Sequence, residues 1–289
     1  MTAAQLLPES IAAVVSDVDG TLARSDKSIS PRSAEAVRAL RHAGVKFTVV
    51  SSRPPRGLKT VISRLNIDLP VAGFNGGVIA SPDLSVITSH LITPDAAQHA
   101  VQSIDASGAA AWVFSGEDWF IRDRNGPRVA LEEKTVGFSP TVVTNFDGVI
   151  GASAKIVAVS DDAALLTRLQ AEMCESLSGR ANIARSQPYY LDFTSPLASK
   201  GRALIELTKL MAVSTTSAMA IGDGENDVDM FARAGLSIAM GNADAKVKEA
   251  ADFVTGSNDD DGVAVAIEWF VLGGNRVPID RARASRDVA

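Results

Sequence analysis

Cysteine is almost missing from this chain: Cys174 is the only one in 289 residues. An internal disulfide is impossible, and so is any zinc site that needs two or more thiolates. The three histidines, His42, His90 and His99, form no close ligand pair, so nothing points to a transition-metal centre. Cys174 sits in LLTRLQAEMCESL, whose spacing reads as an amphipathic helix, and is expected on its surface or in the core rather than as a nucleophile. Positive charge is also short. Lys and Arg number 28 against 34 Asp and Glu, a net of −6, which argues against a nucleic-acid footprint. The first twenty residues carry no Lys or Arg and include Glu9, unlike a signal peptide's basic start. No apolar run approaches the ~18 residues of a membrane span. The expectation is a cytoplasmic protein with neither a nucleic acid nor a membrane as partner, its oligomeric state left open.

What the sequence does contain is ordinary globular material, 46% apolar and 21% charged. At about 150 residues per domain its length suggests roughly two domains, and it can bury a core without staples. No repeat of fixed period occurs.

The chain begins with an α/β rhythm. Residues 11–15 form a continuous apolar, β-branched run, suited to a buried strand of a parallel sheet. Ser30 and Pro31 then mark a helix start, with Gly44 as its stop. A second strand is expected over 45–50, a helix over 58–65 and a short strand over 71–74, giving β-α-β-α-β. From about residue 82 to 190 the pattern changes to shorter alternating runs around 111–114, 119–121, 155–159 and 189–191. Helical stretches near 94–107 and 161–178 separate them. This reads as a separate α+β unit, with Trp112, Trp119 and Tyr190 suited to its core. The α/β rhythm returns after Lys200, with Asp261 placed to cap a helix over 262–270. Residues 273–289, with few apolar anchors, are expected to fray. The fold class is therefore α/β: a doubly wound, mainly parallel Rossmann-like sheet built from 1–82 and 191–289, with an α+β cap inserted at 83–190.

Two acidic clusters carry chemistry. Asp17 and Asp19 flank a valine at the end of the first strand, where i and i+2 point to one side and where open α/β sheets bind ligands. Alone, these residues suit an Asx-turn equally well. The second cluster, GDGEND at 222–227, also follows an apolar strand and precedes a helix. A glycine-rich turn capped by Asp227 is its plain alternative. It lacks the third glycine of a dinucleotide fingerprint and the spacing of an EF-hand. Two strand ends delivering carboxylates to one sheet edge suit a cation with hard oxygen ligands, Mg²⁺ above all, and phosphate is the substrate group such an ion would balance. Ser51 and Ser52, ending the second strand, and Lys200, ahead of a helix, are candidate phosphate ligands.

Together, DVDGT at 17–21, the strand end at Ser51, Lys200 and GDGEND at 222–227 resemble the four motifs of the haloacid dehalogenase superfamily, in order and in spacing. The long interval from Ser51 to Lys200 leaves room for a large insertion after the third strand, at Asn75-Gly76-Gly77, as in the Cof-like subgroup with a type C2B cap. The resemblance implies Asp17 as nucleophile, forming an aspartyl-phosphate, and Asp19 as general acid and base. It implies Mg²⁺ held by the Asp17 carboxylate, the Asp19 carbonyl and Asp223, with Asp227 in the outer shell or acting through water. Ser51, Ser52, Lys200 and Asn226 would hold the phosphoryl group, and Asn75 would touch the substrate near the cap hinge. Gln187, Tyr189 and Asp192 would lie on the cap face above the nucleophile. One departure stands out. The subgroup reads Thr-Gly-Arg where this chain has Ser51-Ser52-Arg53, so Ser52 replaces a glycine, which bears on the loop's backbone geometry.

The reading that follows is a Mg²⁺-dependent phosphatase acting on a small phosphorylated metabolite, a sugar phosphate being the leading type. A phosphosugar mutase using the same nucleophile is the first alternative. A non-enzymatic binder of phosphorylated metabolites is the second, though binding alone would not require Asp19.

Overall fold

The computed structural model describes residues 10–273 and 280–281. The chain opens with β1 (Ala13–Ser16), α1 (Pro31–His42), β2 (Lys46–Val49), α2 (Lys59–Leu65), β3 (Val71–Gly73), β4 (Val78–Ala80) and β5 (Val86–Ser89). The middle holds α3 (Pro94–Ser107), β6 (Ala110–Ser115), β7 (Asp118–Ile121), α4 (Val129–Val136), β8 (Thr141–Val142), β9 (Ser153–Val159), α5 (Ala163–Ser176), β10 (Asn182–Gln187) and β11 (Tyr190–Thr194). The return brings α6 (Lys200–Leu210), β12 (Ala218–Gly222), α7 (Val228–Phe231), β13 (Leu236–Ala239), α8 (Ala245–Ala250), β14 (Phe253–Val254), α9 (Gly262–Phe270) and β15 (Asp280–Arg281).

The first sheet runs β15-β14-β13-β12-β1-β2 and is parallel except at β15. β1, β2, β12 and β13 are buried on both faces, which is why they read as apolar runs. Successive residues of β1 serve opposite cores. Val14 packs with Leu40, Val61 and Val263, so that α1, α2 and α9 cover one face. Ala13 and Val15 pack with Leu204, Phe231 and Val247, under α6, α7 and α8. The sheet is thus doubly wound. A single parallel bridge, Val50 to Ala72, attaches the antiparallel ribbon β3-β4-β5 beyond β2. The start of α1 follows the sequence signal, since Ser30 Oγ accepts the Ser33 N–H at 3.0 Å with Pro31 next in line.

A second sheet, β10-β11-β9-β6-β7-β8, belongs to the middle segment. One face packs under α3 and α5 through Ile104, Leu166, Ile156 and Phe193. The other carries Trp112, Phe114, Trp119 and Tyr190 and meets Phe74 and Val78 from the first unit. The expected division at 190/191 falls inside β11, and that at 82/83 falls in the turn between β4 and β5. β10, α4 and the β4–β5 ribbon lie outside the sequence expectation.

Two local expectations need correction. Asp261 does not cap α9 with its side chain: its backbone is left-handed (φ 61°), not the extended form an N-cap adopts, and its carboxylate takes Arg24 at 2.7 Å. The helix expected to follow GDGEND begins inside it as a 3-10 turn, Glu225–Asp227, and continues only as the short α7. Of the tail expected to fray, Asp280 and Arg281 pair with β14, and most of the rest lies outside the described residues. None of the described helices is long and apolar enough to cross a membrane.

Candidate active site

Parallel pairing of β1 with β12 and β2 brings three strand ends to one edge. The Asp17 N–H donates to the Ile221 carbonyl at 2.9 Å, and the Val50 N–H to that of Ser16 at 3.0 Å. Asp17 therefore emerges beside Gly222-Asp223 on one side and Ser51 on the other. Gly20 is needed at the crossing: its φ is +80°, and a Cβ there would lie 2.3 Å from Asp223 Oδ2.

Carboxylate oxygens of Asp17, Asp223 and Asp227 all lie within 4.8 Å of one another. Lys200, only 2% exposed, sits among them, with its Nζ 2.7 Å from Asp17 Oδ1 and 2.8 Å from Asp227 Oδ1. The other oxygen of Asp227 accepts the N–H groups of Asp223 and Gly224 at 3.0 and 2.8 Å. Asp227 thus folds the GDGEND loop back on itself, the reach-back half of a capping box. Thr21 Oγ1 donates to Asp223 Oδ1 at 2.6 Å.

Crowding sets the electrostatics. Burial pushes the Asp17 carboxyl well above the usual carboxylate range against the pull of Lys200, and Asp227 and Asp223 push the same way. Burial raises Asp223 as well, with the Thr21 bond opposing and Asp227 adding. Lys200 is held protonated: burial works against its charge, but Asp17 and Asp227 outweigh it.

Asp19 is placed differently. Arg53 clamps it through Nε to Oδ2 at 2.6 Å and Nη2 to Oδ1 at 2.7 Å, and Lys27 Nζ lies 2.9 Å from Oδ1. Burial pushes this carboxyl up, but the bonds and charges of Arg53 and Lys27 win and hold it at about 2. The sequence expectation of a carboxyl at liberty to exchange protons is thus qualified by a bidentate clamp.

The remaining expected residues fall into three groups. Ser51 is buried; its Oγ accepts the Arg53 N–H at 3.1 Å, which leaves the hydroxyl proton to donate. Asn75 and Asn226 pair with each other, Nδ2 of Asn226 donating to Oδ1 of Asn75 at 3.0 Å, with Asn75 held left-handed at φ 57°. Ser52, Gln187 and Tyr189 line one cleft together with Asp19. Ser52 is absent from the residues with positive φ, so the loop accepts serine in place of glycine without left-handed strain. Cys174 is exposed on α5, away from this chemistry.

Sequence reasoning gave no role to the Arg53–Lys27 clamp. Its signal was available, since Arg53 follows the end of β2 next to the strand that delivers Asp19. A further cavity of about 260 Å³, lined by residues such as Val37, Val45, Phe47 and Leu65, lies at the opposite end of β2. It shares no residue with the carboxylate cluster.

Comparison with known proteins agrees with this geometry. A sequence profile of the haloacid dehalogenase-like hydrolases matches residues 14–267. A Haemophilus influenzae protein provisionally named a phosphatase is 29% identical over 264 residues, spanning 89% of this chain and 97% of that protein. The 5-amino-6-(5-phospho-D-ribitylamino)uracil phosphatase YwtE of Bacillus subtilis is 27% identical over 286 residues, covering 89% of this chain and 97% of its own. A crystal structure of a haloacid dehalogenase-like hydrolase from Bacteroides thetaiotaomicron superposes with a TM-score of 0.82 at 29% identity, over 90% of this chain and 99% of that one. This chain belongs to the haloacid dehalogenase-like hydrolase family.

Proposed function

We propose that the protein is a Mg²⁺-dependent phosphatase that hydrolyses a small phosphorylated metabolite of the sugar-phosphate type. The observation that carries this reading is the placement of Asp17 at the end of β1, its carboxylate bound to Lys200 and grouped with Asp223, with Asp19 two residues on.

The donor set suits a small dication: three hard carboxylate ligands face a single ammonium. Asp17, Asp223 and the Asp19 carbonyl would hold Mg²⁺, with Asp227 behind them. Bound there, the ion offsets negative charge on the phosphoryl oxygens. Lys200, the Ser51 hydroxyl and the Asn226 amide orient the phosphoryl group. A carboxylate oxygen of Asp17 attacks phosphorus; an O–P bond forms, the ester P–O bond breaks, and the leaving oxygen takes a proton from Asp19. Water then attacks the aspartyl-phosphate, giving its proton to Asp19, and inorganic phosphate leaves with Asp17 restored. For the first step Asp19 must be protonated against Arg53 and Lys27, so substrate entry has to loosen that clamp.

Phosphate release from a panel of phosphorylated metabolites tests the reading, and no release from any of them with Mg²⁺ present would overturn it. Chelator-treated protein should lose this activity and regain it with Mg²⁺. Saturating Mg²⁺ should also raise the melting temperature by roughly 5 °C, through binding to the folded state alone. An unchanged melting temperature would count against a metal at Asp17 and Asp223. Asp19→Asn should slow hydrolysis of an alkyl phosphate by about 10²–10⁴-fold. The loss should be smaller for p-nitrophenyl phosphate, whose leaving group needs little protonation. Equal losses on both esters would remove the general acid from Asp19.

A further inference from the structure

Phe74, Asn75 and Gly76, which follow β3, all carry positive φ, at 51°, 57° and 92°. Glycine takes such a backbone freely and asparagine tolerates it. For a phenylalanine it is a genuine outlier. Strain of this kind persists only where the surroundings over-determine the conformation. Here the backbone is tied to three parts of the active site. The Phe74 N–H donates to the Arg53 carbonyl at 2.9 Å, and the Asn75 N–H to that of Ser51 at 2.8 Å. The Asn75 side chain accepts from Asn226, in the GDGEND loop, at 3.0 Å. Gly76 runs so close to Ser199, the N-cap of α6, that a Cβ would lie 2.7 Å from its carbonyl oxygen. The segments that carry Ser51, Lys200 and Asn226 therefore meet on this one turn.

The Phe74 ring belongs instead to the second sheet. It is 1% exposed and meets the Phe114 ring of β6 edge-on, with centroids 5.5 Å apart at 63°. Phe114 is itself fixed. Trp119 stacks on it at 5.8 Å. The Lys155 ammonium, held 2.6 Å from Asp192 Oδ2 on β11, lies 5.9 Å from its centroid. The ring layer continues through Trp112 to Tyr190, whose hydroxyl donates to Glu132 of α4 at 3.3 Å. Neither Phe74 nor Phe114 lines the cleft beside Asp19, so their contact is separate from whatever recognises a leaving group.

We propose that Phe74 is a positioning residue: its ring, seated against Phe114, holds the turn at 74–76 left-handed and thereby fixes Ser51, Lys200 and Asn226 around the phosphoryl group. Freed of that contact, residue 74 relaxes toward negative φ. The Asn75 N–H then turns away from Ser51, and the Asn75 side chain from Asn226. The second sheet thus contributes to phosphoryl transfer through the backbone, and for every ester alike. This assignment rests on the phosphatase reading above.

The test is steady-state phosphate release from p-nitrophenyl phosphate, glucose 6-phosphate and 3-phosphoglycerate, with inorganic phosphate as competitive inhibitor. In Phe74→Leu, kcat should fall roughly 10- to 100-fold on every ester that wild type hydrolyses, the scale of a misplacement of about 1 Å. The inhibition constant of phosphate should rise, and the ratios of kcat/KM among the esters should stay as in wild type. Phe114→Leu alters only the far side of the contact and should reproduce these changes. The double variant should fall little further than Phe74→Leu alone, because the two residues share one interaction. Phe193→Leu, which thins the core on the opposite face of the same sheet, is the control and should change neither constant. Melting curves establish that each variant is folded at the assay temperature, and if Phe74→Leu is not, Phe114→Leu decides. Wild-type kcat and phosphate inhibition in the folded seam variants overturn the assignment. So does an equal loss in Phe193→Leu, or a loss confined to one ester. Each of these leaves wild-type hydrolysis standing as support for a phosphatase, whereas no release from any ester by wild type overturns both readings.

Discussion

Asp17→Asn should abolish phosphate release without unfolding the protein. The substitution keeps the shape of the side chain and an oxygen for Lys200, and removes the anionic oxygen that attacks phosphorus. Loss of the nucleophile in a covalent mechanism costs on the order of 10⁶-fold in turnover. The stability effect has the opposite sign. Asp17, Asp223 and Asp227 crowd around one ammonium, and the folded state raises the Asp17 pKa. An acid raised in this way stabilises the fold fully below its unfolded pKa of about 3.9, and that contribution is lost as pH rises through the folded value. At neutral pH, without metal, the neutral asparagine should therefore melt at or above the wild-type temperature. Near-wild-type phosphate release from folded Asp17→Asn protein would remove Asp17 from the mechanism, and a large drop in melting temperature would refute the charge argument.

Lys200→Met should do the reverse to stability. It leaves the buried carboxylates of Asp17 and Asp227 with no counter-charge. Removing one partner of a buried pair costs about 3–5 kcal/mol, a fall of roughly 10 °C for a chain of this size. Protonation relieves the same repulsion, so the deficit should be smaller at pH 5 than at pH 8. Denaturant titrations of both proteins at the two pH values check this, and an equal deficit at both would assign Lys200 a packing role instead of a charge role. Turnover should also be lost, since Lys200 is the buried cation available to the phosphoryl group.

The parts of this site that the sequence made legible are those that local chemistry writes. A buried parallel strand is an apolar run, its end is where polarity begins, and so Asp17 and Asp223 stand out at the ends of β1 and β12. Ser30-Pro31 announces α1 in the same way. What escaped is what tertiary packing alone creates. The α4 sequence VALEEKTV has two buried residues, Val129 and Val136, and starts from a left-handed Arg128, so no apolar stripe or cap marks it. Glu132 accordingly drew no attention. Lys155 read as one more residue of an apolar strand, because its partner Asp192 lies on a strand that pairs with β9 only in the folded sheet. The β10 sequence NIARSQ has no buried residue, and its two apolar residues, Ile183 and Ala184, are adjacent, so it lacks the apolar–polar alternation that identifies a half-buried strand. Asp19 was read by its neighbours in sequence, whereas Arg53, from the end of the next strand, sets its charge.

The strand order of the first sheet also has a consequence during synthesis. β1 is made early, yet Ala13 waits for Ala218, 205 positions later, to fill one of its two edges. At the usual ~5–20 residues per second of translation, that edge stays unpaired on the ribosome for roughly 10–40 s. Contacts of such long range also form slowly once both strands exist. Throughout that interval Asp17 has neither Asp223 nor Lys200 beside it, so the nascent chain is catalytically silent and displays an apolar strand edge. Translation speed over the middle segment, and any holdase that shields this edge, should therefore govern how much active enzyme each message yields.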